Sequence, residues 1–507
     1  MAASEKNFQA PSKVLKSLLY ISFSVAILPI LLTPPLMDVR WWFIKFPADM
    51  NYSVTNIHRA WEMGLLPGRF VPISDVSGLI YVYVGHKFLQ LTQVPVDYFD
   101  LMTKVALIAG VYYTLKLLVR ELNLGRNSEF VNRYPLILMT IWGLGANVFW
   151  KLNGTVAYPS LIYPTIIVAT VFATAVLRNI RTISHNGFRL NTGTRLLALA
   201  STMWANFYYE LAYTAVVAIL IGVLISPTEA FSKKMRIRYS SVFLISFIAI
   251  WIPMRIILAK QCAANLAACY EGSQLSPAGA PATFVKNIVN GLPLTDYSAI
   301  AKIQNGGLPF EISGLTLFVS IFISIVLILN LKEVFRGSDV NTHDLSENLI
   351  IQTRLAAILI STGVVAAAIM SVSTLSQQTV KWGFAYRHAP SLWLGYATLI
   401  LLLITLLVSR TNYLFGATAL VLLVVVLTTG QWGRSYSAIR AYSVDFEPVS
   451  RLYHELYNAD VSDKGLGNSR RCLIVDQLNA KDINVVRYLD PADKFMNTFH
   501  QIPFCNR

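Results

Sequence analysis

The fold is decided by two neighbouring apolar stretches, which read PSLWLGYATLILLLITLLV at 390–408 and YLFGATALVLLVVVLTTG at 413–430. Neither stretch contains a charged residue. Each approaches the roughly 20 residues that an α-helix needs to cross the apolar core of a bilayer. Because lipid offers a peptide backbone no hydrogen-bond partners, such stretches cross membranes as helices. The sequence therefore predicts two spanning helices joined by a short turn around Arg410.

Comparable apolar stretches run through the rest of the chain. They fall at 17–34, 76–92, 100–118, 135–150, 159–177, 195–209, 211–226, 239–258, 313–331 and 354–372. The composition agrees, because 55% of the 507 residues are hydrophobic and only 14% are charged, whereas about 25% are charged in soluble proteins. We predict an all-α polytopic membrane protein with about 11–12 hydrophobic helices.

Loop charges orient these helices. Segments 178–195 and 227–238 are rich in Lys and Arg, as cytoplasmic loops are, and the net charge of +15 has the same explanation. The N-terminus is then cytoplasmic, and the first loop 35–75, the large loop 259–312 and the tail 431–507 lie outside. We predict a transmembrane domain at 1–430 and a small soluble α+β tail at 431–507.

One early segment conflicts with strict alternation. Three arginines mark 119–134 as cytoplasmic, although three full spans before it would place it outside. One segment therefore fails to cross. The segment 76–92, which contains His86 and Lys87, is the weakest, and we predict that it is re-entrant or interfacial.

The four cysteines fall in two of the predicted outer segments. Cys262 and Cys269 lie in the large loop, and Cys472 and Cys505 lie in the tail. An oxidising compartment outside the cytoplasm favours one disulfide in each segment, and four unpaired thiols are the alternative. The seven histidines are scattered, and no phosphate-binding Gly-rich motif of an ATP-driven pump is present.

Carboxylates at the membrane boundary are the candidate catalytic groups. Asp38 follows the first span, and Asp49 lies in the same loop. A belt of interfacial residues explains the neighbouring tryptophans, but not an acid held beside anionic lipid. Glu210 lies between two apolar runs, where a carboxylate is a functional candidate. The alternatives are a side chain that reaches the interface from a tight outer turn and a structural pairing with Arg255.

Cations and aromatic residues near the same boundary are the candidate binding groups. Arginine offers phosphate a planar fork of donors and lysine offers a point charge. An aromatic belt with cations reaching the interface is the alternative. The candidate substrate-binding residues are Arg40, Arg69, Lys151, Tyr209, Lys381, Arg387 and His388.

The order of features along the chain resembles the GT-C class of membrane glycosyltransferases. These features are a basic N-terminus, one span, a large outer loop with acids, ten or so further spans and an outer soluble tail. The turn Gly68-Arg69-Phe70 and the loop WKLNGTVAY at 150–158 look similar to patterns in bacterial members, including the serotype-converting phage glucosyltransferases. This resemblance implies inverting transfer of a sugar from a polyprenyl-phosphate donor to a glycan or lipid-linked glycan. The reaction would take place on the outer face of the bacterial cytoplasmic membrane, in lipopolysaccharide or cell-wall polysaccharide biosynthesis.

The resemblance also implies roles for the candidate residues. Asp38 would be the general base, with Asp49 and Glu210 as substitutes, and the cations would hold the lipid phosphate. The expected partners are the lipid-linked donor, the glycan acceptor and membrane lipid, without nucleic acid. No cofactor is indicated, and a requirement for a divalent metal stays open. The alternative functions are an O-antigen or polysaccharide polymerase and a transporter or flippase for a lipid-linked glycan.

Overall fold

Helices make up nearly all of the part of the chain that the structure describes. The computed structural model describes residues 12–33, 43, 68–92, 94, 96–123, 128–148, 154–156, 158–186, 191–226, 232–264, 269, 274–295, 312–336, 342–384, 386–410, 413–437, 439, 447–458, 466–480 and 485–506. Its helices are α1 (Ser12–Leu32), α2 (Pro72–Thr92), α3 (Val96–Leu122), α4 (Ser128–Leu144), α5 (Pro159–Asn186), α6 (Thr192–Phe207), α7 (Tyr213–Leu224), α8 (Lys233–Ala264), α9 (Ala280–Asn290), α10 (Gly314–Arg336), α11 (Thr342–Ser371), α12 (Thr374–Thr379), α13 (Ala389–Arg410), α14 (Tyr413–Leu427), α15 (Glu447–Asn458), α16 (Leu466–Ala480) and α17 (Val485–His500).

Eight of the described helices are long and apolar enough to cross a membrane. They are α1, α3, α5, α8, α10, α11, α13 and α14. The described residues form no β-strand, so this part of the chain is an all-α polytopic fold. Each of the other predicted apolar segments is also helical, but α4, α6 and α7 have only 17, 16 and 12 residues.

The short helix α4 lies at the centre of the bundle. Nearly every residue from Phe130 to Leu144 is buried, and α4 packs against α1, α3, α10 and α13. A helix surrounded by protein does not have to match the lipid thickness that a lipid-facing helix must span. This burial explains why α4 belongs to the bundle although it is shorter than a typical membrane span.

One end of the bundle collects arginines. Arg178 and Arg181, near the end of α5, contact the carboxylate of Glu121 near the end of α3, at 3.2 and 2.9 Å. Arg133, near the beginning of α4, donates to Asn330 Oδ1 at 2.5 Å. We call this end of the bundle the basic end. It holds the ends of α3, α5, α7, α10 and α13 and the beginnings of α1, α4, α6, α8, α11 and α14.

The opposite end joins the end of α1 to the beginning of α3. Lys104 Nζ lies 2.6 Å from both Asp100 Oδ2 and the backbone carbonyl oxygen of Thr33, and all three residues are buried. An ammonium and a carboxylate out of contact with water require such pairing. Because α1 ends here and α3 begins here, the chain between them starts and finishes at one end of the bundle. We call this end the site end.

Helix α2 lies along the site end and does not cross the bundle. Phe70, just before α2, packs edge-on against Phe207, where α6 reaches the site end, with the ring centroids 5.5 Å apart. Phe88, in the last turns of α2, packs against Phe99 at the beginning of α3, at 5.6 Å. Both ends of α2 are therefore at the site end, which is the non-crossing arrangement that the arginines of 119–134 require.

The tail differs from the predicted α+β appendage. The apolar stretches 472–475 and 485–486 lie in α16 and α17, so strands are not shown among the described residues of the tail. The buried residues of α16 explain the difference, because Gly467, Arg471, Ile474 and Leu478 recur every three or four positions. That spacing places them on one face of a helix.

Helices extend into three segments that the sequence assigned to loops or to the tail. A π-helical turn at Thr428–Trp432 continues α14, and the apolar helix runs to Ser437, beyond the predicted boundary at 430. Helix α2 begins at Pro72, inside the predicted loop 35–75. The predicted loop 259–312 holds the end of α8 and the whole of α9.

The tail helices share a hydrophobic core with α2. A Cys472–Cys505 disulfide joins α16 to the segment after α17, with the Cα atoms 5.0 Å apart. The shared core is one cluster of buried side chains: Phe43, Val82, Leu89, Phe99, Val449, Leu452, Leu456, Ile474, Leu478, Ala492, Phe495, Met496 and Phe504. The tail therefore packs against the site end through α2 rather than forming a core of its own.

Candidate functional site

A cavity of about 380 Å³ opens at the site end among α7, α8 and α11. Its deeper wall is apolar and is formed by Val216, Val217, Leu220, Leu244, Phe247, Val365, Ile369 and Met370. Helix α8 is the least covered of the membrane helices, with only 6% of its apolar window buried. The cavity therefore lies between the lipid-facing helix α8 and the rest of the bundle.

Polar side chains line the cavity where it reaches the site end. They are Tyr209, Glu210, Tyr213, Arg255, Ser373, Ser376, Tyr386 and Arg387. They come from the turn between α6 and α7, from the end of α8, and from the segments on either side of α12. An apolar chamber with polar groups at one end is a common form of ligand site.

The turn between α6 and α7 supplies Tyr209 and Glu210. The Tyr208 hydroxyl donates to the carbonyl oxygens of Ser160 and Leu161, each at 3.1 Å. Its ring stacks on Trp204 with the centroids 4.0 Å apart. These contacts hold the turn against the beginning of α5, so the next two residues line the cavity.

Arg387 is the cation of the cavity, and tyrosines surround its guanidinium. Its Nη1 donates to the Tyr209 hydroxyl at 2.6 Å. The guanidinium carbon lies 4.9, 5.5 and 5.9 Å from the ring centroids of Tyr158, Tyr386 and Tyr209. Aromatic faces at these distances stabilise a cation and fix its orientation. The sequence-predicted residues Tyr209, Glu210 and Arg387 are thus brought together here.

Gly154 holds the backbone beside Arg387 in place. Its N–H donates to the carbonyl oxygen of Tyr386 at 3.3 Å, and a Cβ at Gly154 would overlap the carbonyl of Arg387. Only glycine allows the two backbones to approach this closely. Gly154 belongs to the loop at 150–158 that carries the resemblance.

We expect Gly154→Ala to move Arg387 and to destabilise the protein by about 1–3 kcal/mol, as overpacking does. Thermal unfolding of the purified variant would measure the change. Gly78→Ala is the matched control, because a Cβ on this α2 glycine meets no atom within 4 Å. Since alanine favours a helix, the control should stabilise by about 0.5–1 kcal/mol. Equal melting of both variants would contradict the close approach at Gly154.

Arg255, near the end of α8, supplies a second cation to the cavity. Its Nη2 donates to the Tyr213 hydroxyl at 2.8 Å, and the indole N–H of Trp251 donates to the same hydroxyl at 3.3 Å. The sequence offered Arg255 only as a structural partner of Glu210. In the structure Arg255 hydrogen-bonds to Tyr213 and lines the same cavity as Glu210.

A smaller cavity of about 30 Å³ adjoins the first and brings in Arg69. Gly68, Arg69 and Phe70 line it together with Glu210, which lines both cavities. Gly68 has a φ of 82°, the left-handed backbone that glycine adopts without strain. This turn delivers the predicted Arg69 to the neighbourhood of Glu210.

Asp75, in the first turn of α2, is an acid near the site that the sequence reasoning missed, although it lines neither cavity. Burial raises the pKa of its carboxyl group; the Arg69 guanidinium partly opposes this shift, and the Glu210 carboxylate adds to it. Asp75 is therefore close enough to both residues to interact with them electrostatically. Its sequence signal was weak: a single acid where an apolar segment begins, six residues after Arg69.

Two other predicted binding residues point elsewhere. The Lys381 side chain is exposed, and its segment is held by Asn290, whose Nδ2 donates to the Lys381 carbonyl oxygen at 2.8 Å. His388 is buried, and its Nε2 donates to the Asn287 carbonyl oxygen at 3.0 Å. Neither side chain lines the cavity that holds Arg387.

The buried histidine makes stability depend on pH. Burial lowers the pKa of His388 from 6.5 to about 4, although its hydrogen bond to Asn287 opposes the shift. Between these values the unfolded chain binds a proton that the folded protein does not, so stability falls as the pH drops from 6.5 towards 4. The loss at pH 4 is about 3 kcal/mol for one such group.

We expect His388→Gln to melt with a smaller pH dependence than the wild type between pH 7 and pH 4. Part of the dependence should remain, because burial also lowers the pKa of His86 to about 4. Melting temperatures across this pH range, measured for each single variant and for the double variant with His86→Gln, would check the prediction. An unchanged pH dependence in the double variant would contradict it.

The remaining predicted residues lie outside the described residues. They are Asp38, Asp49, Arg40 and Lys151.

The second predicted disulfide, Cys262–Cys269, lies at the site end of α8, with the Cα atoms 4.9 Å apart. Among the described residues, no group of three or more His, Cys, Asp or Glu could hold a metal ion.

Comparisons with protein-family models, with curated proteins and with solved structures find no match for this chain. The geometry of the cavity therefore carries the functional argument. Its described features are an apolar chamber beside a lipid-facing helix, a carboxylate, two guanidinium groups and several tyrosines.

Proposed function

We propose that the protein is a membrane glycosyltransferase that takes a sugar from a polyprenyl-phosphate donor and transfers it to a glycan or lipid-linked glycan. The observation that carries the proposal is the composition of the cavity. Its apolar wall borders a lipid-facing helix, while Glu210 and Arg387 line its polar end. A donor with an isoprenoid chain, a phosphate and a sugar has the same order of apolar, anionic and polar groups.

The donor lipid would enter beside α8. The apolar side chains of α7, α8 and α11 offer its chain a surface like that of the bilayer, so burial of the chain costs little. Leu244 and Phe247 belong to the lipid-facing helix and also line the cavity. A lipid substrate can reach the polar end by lateral movement, without passing through water.

The donor phosphate would bind Arg387 in this proposal. A guanidinium binds phosphate oxygens through two parallel hydrogen bonds, which are stronger than hydrogen bonds between neutral groups. The three tyrosine rings hold the guanidinium before substrate arrives, so little reorganisation is needed. Arg255 of α8 lines the same cavity and adds positive charge.

A carboxylate would activate the acceptor. In one step, the carboxylate removes the proton from the acceptor hydroxyl, the hydroxyl oxygen bonds to the anomeric carbon, and the bond from that carbon to the phosphate oxygen breaks. The lipid phosphate leaves with the bonding electrons, and the anomeric configuration inverts. We assign the base to Glu210 among the described residues. Asp38 is the alternative that the resemblance favours.

The site end would face away from the cytoplasm of a bacterial cell. Arginines gather at the other end of the bundle, as they do on cytoplasmic faces. The disulfides Cys262–Cys269 and Cys472–Cys505 belong to segments at the site end, and an oxidising compartment favours them. The N-terminus would then be cytoplasmic and the tail extracytoplasmic.

The decisive experiment supplies purified protein in detergent with a radiolabelled polyprenyl-phosphate sugar and a panel of glycan acceptors. We expect free polyprenyl phosphate and labelled glycan to appear in equal amounts. Turnover of an undecaprenyl-diphosphate oligosaccharide instead would identify a polymerase. In proteoliposomes, movement of a lipid-linked glycan across the bilayer without cleavage would identify a transporter, and either result would overturn the proposal.

A further inference from the structure

A third cavity, larger than the two at the site end, lies at the basic end in a groove among α3, α5 and α6. Its volume is about 880 Å³. Its lining combines small side chains with larger apolar side chains. The lining includes Thr114, Leu117, Thr174, Ala175, Leu197 and Ala200.

The groove is open towards the surrounding lipid and is about as long as one leaflet. Tyr113 and Leu196 line it while 60% and 61% exposed. Along α5 it extends from Val171 to Thr182, which is about 16 Å at about 1.5 Å per residue. One leaflet contributes about half of a hydrocarbon core of about 30 Å.

Two guanidinium groups line the groove where it reaches the basic end. Arg120 lies in the last turn of α3, and Arg178 lies opposite on α5 with 71% of its side chain exposed. Glu121 contacts both Arg178 and Arg181. Three arginines thus accompany one glutamate, and positive charge is left in excess at this end of the groove.

We propose that this groove is a binding site for an anionic phospholipid of the leaflet at the basic end. The acyl chains lie along the apolar side chains of α3, α5 and α6. The phosphodiester meets Arg120 and Arg178, whose forked donors match phosphate oxygens. The site is separate from the cavity of Glu210 and Arg387, and it does not depend on the proposed transferase activity.

Charge complementarity selects an anionic lipid over a zwitterionic one. A headgroup such as that of phosphatidylglycerol carries a net negative charge, so it balances the excess of guanidinium groups. The choline of phosphatidylcholine would bring a further cation beside Arg120 and Arg178. Like charges at close range oppose binding.

The test measures binding of fluorescent phosphatidylglycerol to the purified full-length protein by anisotropy. We expect Arg120→Gln combined with Arg178→Gln to weaken binding about tenfold, because both guanidinium groups are exposed and water screens their contacts with phosphate. Arg238→Gln combined with Lys332→Gln is the matched control. It removes the same charge from exposed positions of α8 and α10 outside the groove, and it should bind as the wild type does.

A second variant tests the groove without changing charge. Ala175 lines the groove and is half-buried, so phenylalanine at this position would occupy part of the groove. We expect Ala175→Phe to lose phosphatidylglycerol binding even if the arginine variant proves unstable. Equal loss in the matched control, unchanged binding by Ala175→Phe, or equal binding of phosphatidylcholine would overturn the proposal. Displacement of the lipid by inorganic phosphate would also overturn it, because the groove would then recognise a free anion rather than a lipid.

Discussion

Replacing Glu210 by glutamine is expected to lower the rate of sugar transfer about 1,000-fold, because a general base accounts for about 100- to 10,000-fold of a reaction rate. Glutamine keeps the size of the side chain and cannot accept the proton of the acceptor hydroxyl. Glu210 is half-buried and lines both site cavities, so the exchange should leave the fold intact. The measurement is the release of polyprenyl phosphate by variants with wild-type melting temperatures.

Three further variants separate the possible bases. Asp38→Asn tests the carboxylate that the resemblance favours, and Asp75→Asn tests the acid that interacts electrostatically with Glu210. Glu455→Gln in α15 is a matched control outside the cavities. Full activity in Glu210→Gln with complete loss in Asp38→Asn would move the role of base to Asp38. Full activity in both variants would exclude both carboxylates.

Replacing Arg387 by alanine is expected to lower kcat/KM for the lipid-linked donor about 100-fold. A hydrogen bond to a charged group contributes about 1.5–3 kcal/mol, and a phosphate held by a guanidinium fork loses at least one such bond. Arg387→Lys should recover only part of the loss, because an ammonium group does not offer the planar fork. The variant would be assayed over a range of donor concentrations.

Lys381→Ala is the control for this prediction. Lys381 lies six positions before Arg387, but its side chain is exposed and does not line the cavity. Its removal should change kcat/KM less than twofold, as expected for an exposed charge. If Lys381→Ala lost as much activity as Arg387→Ala, phosphate binding would have to be assigned to the surface segment rather than to the cavity.

The helical framework was largely predictable from the chain. Long apolar stretches such as 390–408 coincide with spanning helices, because lipid requires the same composition wherever a helix faces it. The central position of α4 in the bundle was not predictable, because a helix buried by protein and a helix that faces lipid have similar apolar compositions. The strands predicted for the tail are not shown among its described residues, because short apolar runs fit either a strand or the face of a helix.

The types of residue in the candidate site were predictable from the sequence, but the positions of these residues relative to one another were not. Tyr209 and Arg387 are 178 positions apart, and only the packing of α7 and α13 against α11 brings them into contact. Lys381 and His388 have the right chemistry, yet the direction of each side chain is set by the local turn. Asp75 and Arg255 join the site through α2 and α8, whose positions beside Glu210 no local pattern reveals.

The core shared by α2 and the tail has a consequence for biosynthesis. Val82 and Leu89 of α2 pack against residues from 449 onwards, which leave the ribosome long after α2 itself. Until then this apolar face has no partner from the tail, and an uncovered face of this kind invites aggregation. The apolar face of α2 therefore depends on tail helices that are synthesised much later, and a chain truncated before residue 449 would leave Val82 and Leu89 without these partners.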